Sequence, residues 1–249
     1  MRTPLVALAV AVMTLILGPV VIVARLFRVR QGPASIYTRC VRLWARGINA
    51  AAGVRVRVHG RENIANVRGA VFIANHVSWF DIFALASEVP WCSFVAKAEL
   101  RRIPLFGFAA ETVGIVFIDR DNRKSAFESY KLAAQEVQRG RSIVVCPEGT
   151  RGKDYHLRPF KKGPFVLAIA SQSPLVPTVV YGAREVMPKG TFAIRSGPID
   201  LHFLEPIATT GFDYEHRADL MTATWTSMAE ALRELYGAHT TEHPVANQA

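Results

Sequence analysis

Ala70-Val71-Phe72-Ile73-Ala74-Asn75-His76-Val77-Ser78-Trp79-Phe80-Asp81 is a short apolar run that breaks at a polar turn and then becomes apolar again. Residues 70–75 read as a buried strand, and residues from about 79 to 88 as a helix that Ser78 can cap. A buried strand running straight into a helix is the repeating unit of an α/β protein. A histidine at the C-terminal end of such a strand lies where these folds build their sites.

The unit recurs in both directions along the chain. VRVRVHG (54–60) alternates with period two, and further strands are expected over 92–97, 114–119, 142–147, 175–181 and 191–203. Helices are expected over 123–138, 161–171 and about 214–236. Asp121 or Asn122 can cap the first of these, Phe127, Tyr130, Ala134 and Val137 form its inner face, and Gly140 ends it. The last helix carries Leu220, Met221, Trp225, Met228, Leu232 and Leu235 on its apolar side. The expected fold class is α/β: a single largely parallel or mixed sheet flanked by helices, with an N-terminal membrane-associating helical segment. The boundaries are 1–50 for that segment, 51–240 for the α/β domain and 241–249 for a frayed tail.

Of 249 residues, half are hydrophobic and a fifth charged, which excludes a disordered chain. Only one long uncharged apolar run exists, which excludes a polytopic membrane protein. Cys40, Cys92 and Cys146 are too few and too scattered for a disulfide framework, and no spacing suggests a zinc site. Residues 1–61 hold ten arginines and no acid, so the whole net charge of +10 resides there. Placed beside an apolar run, this charge points to an anionic membrane surface rather than to nucleic acid.

That run, from Pro4 to Ala24, is long enough for a hydrocarbon core of roughly 30 Å. Gly18-Pro19 interrupts it, so a kinked span and a re-entrant, interfacial pair of half-helices are both open. Arg25, Arg28 and Arg30 follow at once, which keeps the bulk of the chain cytoplasmic. A cleaved signal peptide fits less well, because Val20–Arg25 offers no small-residue cleavage site. Residues 36–50 read as a basic amphipathic helix with Ile36, Val41, Leu43, Trp44 and Ile48 on one side. Such a helix lies in a membrane interface or packs on the domain, and Trp44 is placed for the headgroup level.

Four stretches carry groups suited to chemistry. His76 and Asp81 are five apart, which on one continuous helix is a separation of about 140°. With His76 in the turn and Asp81 in the first helical turn, the carboxylate can reach the imidazole and make it a general base. The plainer reading is a capping aspartate and a loop histidine. Cys146-Pro147-Glu148-Gly149-Thr150-Arg151 follows another buried strand. There Gly149 allows close backbone approach, while Thr150 and Arg151 suit a phosphate. Lys153, Arg158, Lys161 and Lys162 add positive potential, although a solvated turn would look the same. Arg120 ends the apolar stretch Gly114–Asp119, and Lys97 ends the strand 92–97. Either can bind an anion or serve as an ordinary surface charge.

Taken together, these stretches resemble the glycerolipid acyltransferase family, of the 1-acylglycerol-3-phosphate (lysophosphatidate) acyltransferase type. The family's N-H-x-S-x-x-D block is matched by Asn75–Asp81, its G-x-x-F-I-D-R block by Gly114–Arg120 and its P-E-G-T-R block by Pro147–Arg151. A weaker block around a proline is met by Leu175–Thr178. The resemblance covers roughly residues 55–205 and departs from the family pattern at Cys146 and Gly152.

It implies transfer of a fatty acyl group from acyl-CoA or an acyl carrier protein thioester to the sn-2 hydroxyl of 1-acylglycerol-3-phosphate. The product is phosphatidate, and the setting is the cell membrane with the catalytic domain on the cytoplasmic side. His76 is then the general base and Asp81 its orienting partner. Glu148, Gly149, Thr150 and Arg151 hold the acceptor head group, with Arg120 and Lys97 as further phosphate-binding candidates. Backbone N–H groups near the first block would stabilise the oxyanion. No cofactor, metal or nucleic acid is expected, and the partners are membrane lipids, lysophosphatidate and the acyl donor. Another lysolipid acceptor such as lyso-ornithine lipid, a thioesterase using Cys146, and a non-catalytic lipid-binding protein remain as alternatives.

Overall fold

The computed structural model describes residues 2–119, 122–238 and 240. The strands are β1 (Val54–His59), β2 (Val71–Ala74), β3 (Cys92–Lys97), β4 (Val116–Ile118), β5 (Ser142–Val145), β6 (Leu175–Tyr181) and β7 (Gly197–Phe203). They form one sheet in the order β1-β7-β6-β2-β5-β3-β4. Pairing is parallel throughout except between β6 and β7, so the sheet is mixed. Every residue of β2 and β5 is buried, because helices cover both faces of the sheet.

The helices are α1 (Thr3–Leu26), α2 (Ile36–Ala52), α3 (Phe80–Glu88), α4 (Phe106–Thr112), α5 (Arg123–Gln138), α6 (Gly163–Ser171), α7 (Ala183–Val186) and α8 (Arg217–Tyr236). Helices α1 to α4 and α7 pack as one group, and α5, α6 and α8 as another. Asn122 caps α5 by accepting from Ser125 N, and Gly140 follows its end with φ +94°. Fully buried Phe72, Phe80, Phe165 and Phe203 anchor the core between the layers.

Several expectations need correcting. The strand expected over 191–203 begins only at Gly197, because the preceding residues are tied to the N-terminus of α1 instead of to a sheet neighbour. Phe127 and Leu235, expected on inner faces, are exposed. On α5 the buried face is Ala133, Ala134 and Val137. Ser78 does not cap the first turn in the usual way: α3 starts at Phe80, whose N–H donates to Ser78 Oγ at 3.2 Å. The short helices α4 and α7 have no periodic signal long enough to read. The proposed tail 241–249 lies outside the described residues.

Helix α1 is one continuous helix through Pro19, not two half-helices. It is long and apolar enough to cross a membrane. Its inner side, with Val6, Gly18, Val21 and Ala24 buried, runs antiparallel to α2 and meets α4 where Gly18 adjoins Leu105. Its outer side exposes Leu5, Leu8, Val12, Leu15, Ile16, Val20 and Val23. Trp44 is not at an outer surface: its indole N–H donates to Thr14 Oγ1 at 3.0 Å and its ring packs edge-on to Phe83. The boundary expected at residue 50 cuts into α2, whose Ala45, Ile48 and Ala52 are wholly buried in the main core.

Candidate active site

Strands β2, β3, β4 and β5 are mutually parallel, so their C-terminal ends share one edge of the sheet. The loops after β2 and β5 are adjacent there, which brings the stretches around His76 and Glu148 together.

Asn75 is buried and replaces a further residue of β2. Its Nδ2 donates to Val180 O at 2.9 Å and its Oδ1 accepts from Val180 N at 2.7 Å, which fixes the turn against β6. His76 follows with its Nδ1 2.8 Å from Asp81 Oδ2. That same oxygen accepts from the amides of Val77 at 2.7 Å and Ser78 at 2.8 Å. Asp81 is fully buried in the first turn of α3, where a carboxylate also suits the helix N-terminus. With Oδ2 as acceptor, His76 carries its proton on Nδ1 and presents the lone pair of Nε2.

Three amides of this block are already engaged. His76 N donates to Glu148 Oε1 at 3.0 Å, and the Val77 and Ser78 amides serve Asp81. The amides of residues 76–78 are therefore not at hand for an oxyanion.

Glu148 is buried. Its Oε2 accepts from Arg158 Nε at 2.8 Å while its Oε1 holds His76 N. Burial pushes its carboxyl pKa up, and Arg158 and the His76 amide oppose that shift. A carboxylate so occupied braces the histidine turn and does not reach outward to a head group. Arg158, read from sequence only as nearby charge, is what holds it, and Arg158 Nη2 also donates to Thr150 O. Gly149 has φ +74°, and a side chain there would meet Lys161 Cε at 2.7 Å. Thr150 is exposed.

Arg151 lies with its guanidinium carbon 5.2 Å from the centroid of the Trp79 ring, a cation–π arrangement. Its carbonyl accepts from Lys189 Nζ at 2.7 Å, and the next residue, Gly152, donates to His76 O at 2.7 Å. Arg151 and His76 are thus joined through one backbone bond. Lys97, at the end of β3, pairs with Glu99 at 2.6 Å in an exposed position two strands from β2. At the usual strand spacing that is about 10 Å away. Arg120 lies outside the described residues. Farther along the same loop, Tyr155 stacks on Tyr181, and Leu157 N donates to Thr240 Oγ1 at 3.1 Å.

A family model described as Acyltransferase matches residues 55–181, just over half of the chain. The chain belongs to the acyltransferase family. The matched span contains the His76–Asp81 pair and the whole Pro147–Arg151 turn. Among similar proteins, a chloroplastic 1-acyl-sn-glycerol-3-phosphate acyltransferase of Brassica napus is 32% identical over 182 residues, covering 72% of this chain and 51% of that protein. The 1-acyl-sn-glycerol-3-phosphate acyltransferase of Limnanthes douglasii is 36% identical over 159 residues, 63% of this chain and 56% of that one. That of Saccharomyces cerevisiae is 31% identical over 187 residues, 74% and 61% respectively. The match thus spans about half the length of the plant relatives. The crystal structure of the 1-acyl-sn-glycerophosphate (LPA) acyltransferase PlsC from Thermotoga maritima superposes with a TM-score of 0.74 at 24% identity, covering 95% of this chain and 98% of that one. The chain therefore shares that fold over 95% of its length.

Proposed function

We propose that the protein moves a fatty acyl group from an acyl thioester to the sn-2 hydroxyl of 1-acylglycerol-3-phosphate. The observation that carries this reading is the His76–Asp81 pair, with one carboxylate oxygen fixing the Nδ1 tautomer at 2.8 Å. The names of the relatives support the choice of acceptor.

In this mechanism His76 Nε2 takes the proton from the acceptor hydroxyl as that oxygen bonds to the thioester carbon. Collapse of the tetrahedral intermediate breaks the C–S bond, and the imidazolium returns the proton to the leaving thiolate. Asp81 orients His76 and balances its charge, as in the His–Asp half of a serine triad. The acceptor alcohol stands in place of the serine, so no acyl-enzyme forms. Arg151 is the side chain best placed to meet the acceptor's phosphate, and Glu148 acts as a brace for the histidine turn.

The apolar helix α1 supports membrane association. Its N-terminus is bonded to the 192–194 segment and its middle adjoins Leu105, so the helix lies along the domain over its length. We read it as lying in one face of the bilayer with its outer leucines and valines immersed, and the catalytic domain on the cytoplasmic side.

The test is a turnover assay on the full chain in liposomes, with acyl-CoA and acyl carrier protein thioesters offered to lysophosphatidate and to lyso-ornithine lipid. His76→Ala is expected to lower turnover on lysophosphatidate by about 10²-fold or more. Product that persists in His76→Ala would overturn the mechanism. Product only with lyso-ornithine lipid would move the acceptor, and lipid binding without any turnover would favour a non-catalytic protein.

A further inference from the structure

The segment between α7 and β7 has an aromatic side chain that no packing explains. Phe192 is 80% exposed, more than any other large apolar residue in the described part of the chain. The segment itself is firmly built. Ile194 is buried, Arg195 N donates to Val186 O at 2.9 Å, and Thr191 N donates to Pro188 O at 3.3 Å across a turn in which Gly190 has φ +86°. A well-anchored turn thus presents a phenyl ring to the outside.

Two further sets of contacts locate that turn. At its start, Met187 O accepts from Ser78 Oγ at 2.8 Å, and Lys189 Nζ donates to Arg151 O. At its end, Phe192 O accepts from Thr3 Oγ1 at 2.6 Å, Ile194 N donates to the same hydroxyl at 3.2 Å, and Ile194 O accepts from Arg2 N at 3.0 Å. The segment is therefore the physical link between the candidate active site and the first turn of α1. Leu5 and Leu8 are exposed on the first two turns of α1, and Arg2, Lys189 and Arg195 are exposed cations on this segment or bonded to it. None of these three pairs with a carboxylate of the described residues. An exposed aromatic tip on a segment that carries cations and is bonded to the start of an apolar helix matches the interface of an anionic bilayer.

We infer that the Met187–Arg195 turn is a second membrane-inserting element, with Phe192 its anchor, which sets the catalytic edge of the sheet against an anionic lipid surface. This rests on the membrane reading of α1 given above. With α1 alone, the domain can roll about the helix axis. A second contact beside the site removes that freedom and faces the His76 edge toward the substrates.

The test uses full-length chains with vesicles of phosphatidylglycerol brominated near the top of the acyl chains. Phe192→Trp and Leu15→Trp are each compared with the wild-type chain for quenching relative to unbrominated vesicles. Added quenching in both variants is expected. Quenching in Leu15→Trp alone overturns this inference and leaves the membrane reading of α1 standing, whereas its absence in both removes the two together. Phe192→Ser is expected to bind vesicles about tenfold more weakly, the loss of one partly buried phenyl ring. Its turnover should fall on vesicle-borne acceptor and hold on a short-chain acceptor in solution. If Phe192→Ser instead dissociates a dimer and leaves vesicle binding unchanged, the ring covers a second copy of the chain and the inference fails.

Discussion

Asp81 gathers three donors on Oδ2, while its Oδ1 is buried without a hydrogen-bond partner among the described residues. Asparagine cannot serve there. With its oxygen at the Oδ2 position, its NH2 lacks an acceptor, and in the other orientation the NH2 faces three donors. Asp81→Asn is expected to lose about 1–3 kcal/mol in denaturant titrations, besides losing control of the His76 tautomer. At Trp79 the consequence is kinetic. If the indole holds Arg151 ready for the phosphate, Trp79→Ala raises the acceptor KM about fivefold, Trp79→Phe restores most of it, and kcat changes little. A kcat loss with unchanged KM would assign Trp79 elsewhere. The sequence put His76, Asp81 and Arg151 into short blocks that local spacing makes legible. It did not show that Glu148 faces inward, because that depends on Arg158, ten residues away in the chain and beside it only in the fold.

At the scale of elements, the strand–helix alternation was readable because β2, β5 and β6 are continuous apolar runs bounded by polar turns. The antiparallel placement of β7 was not, because it depends on which edge the chain returns to. That return brings His59 of β1 and His202 of β7 face to face, stacked at 4.3 Å. Asp200 Oδ1 lies 2.9 Å from His59 Nε2, and its Oδ2 accepts from Arg57. Tyr236 of α8 is bonded to His202 at 2.6 Å and stacked on Tyr181. Burial holds the His202 pKa below its ordinary value, with His59 adding to this and Asp200 opposing it. The unfolded chain therefore takes up the proton first as pH falls. The stability from this site is complete above the ordinary histidine range and declines as pH drops through it. The melting temperature of the wild-type chain is expected to fall more steeply than that of His202→Asn between about pH 7 and 5. Parallel slopes would assign the acid sensitivity to other groups.

At the scale of the molecule, the N-terminal helices are part of the domain. Helix α2 packs on α3 and fills the main core with Ala45, Ile48 and Ala52, so a chain lacking residues 1–52 is expected to lose cooperative melting. A chain lacking only α1 loses Val6 from that core but keeps the α2 residues, and should still melt cooperatively while losing flotation with vesicles. If the shorter chain melts cooperatively, α2 is a detachable anchor after all. Composition located the charge and the apolar run correctly. It could not separate a helix that leaves the domain from one that lies along it, because both need the same residues.

Arg2 and Thr3 are bonded to the 192–194 segment, and Thr240 is bonded to Leu157 in the loop that carries Arg158. Both ends of the described chain are thus moored to the rim of the same site. An affinity tag placed directly ahead of Arg2 therefore pulls on the segment that carries Phe192, and a label inserted in an exposed loop at the opposite sheet edge would disturb the site less.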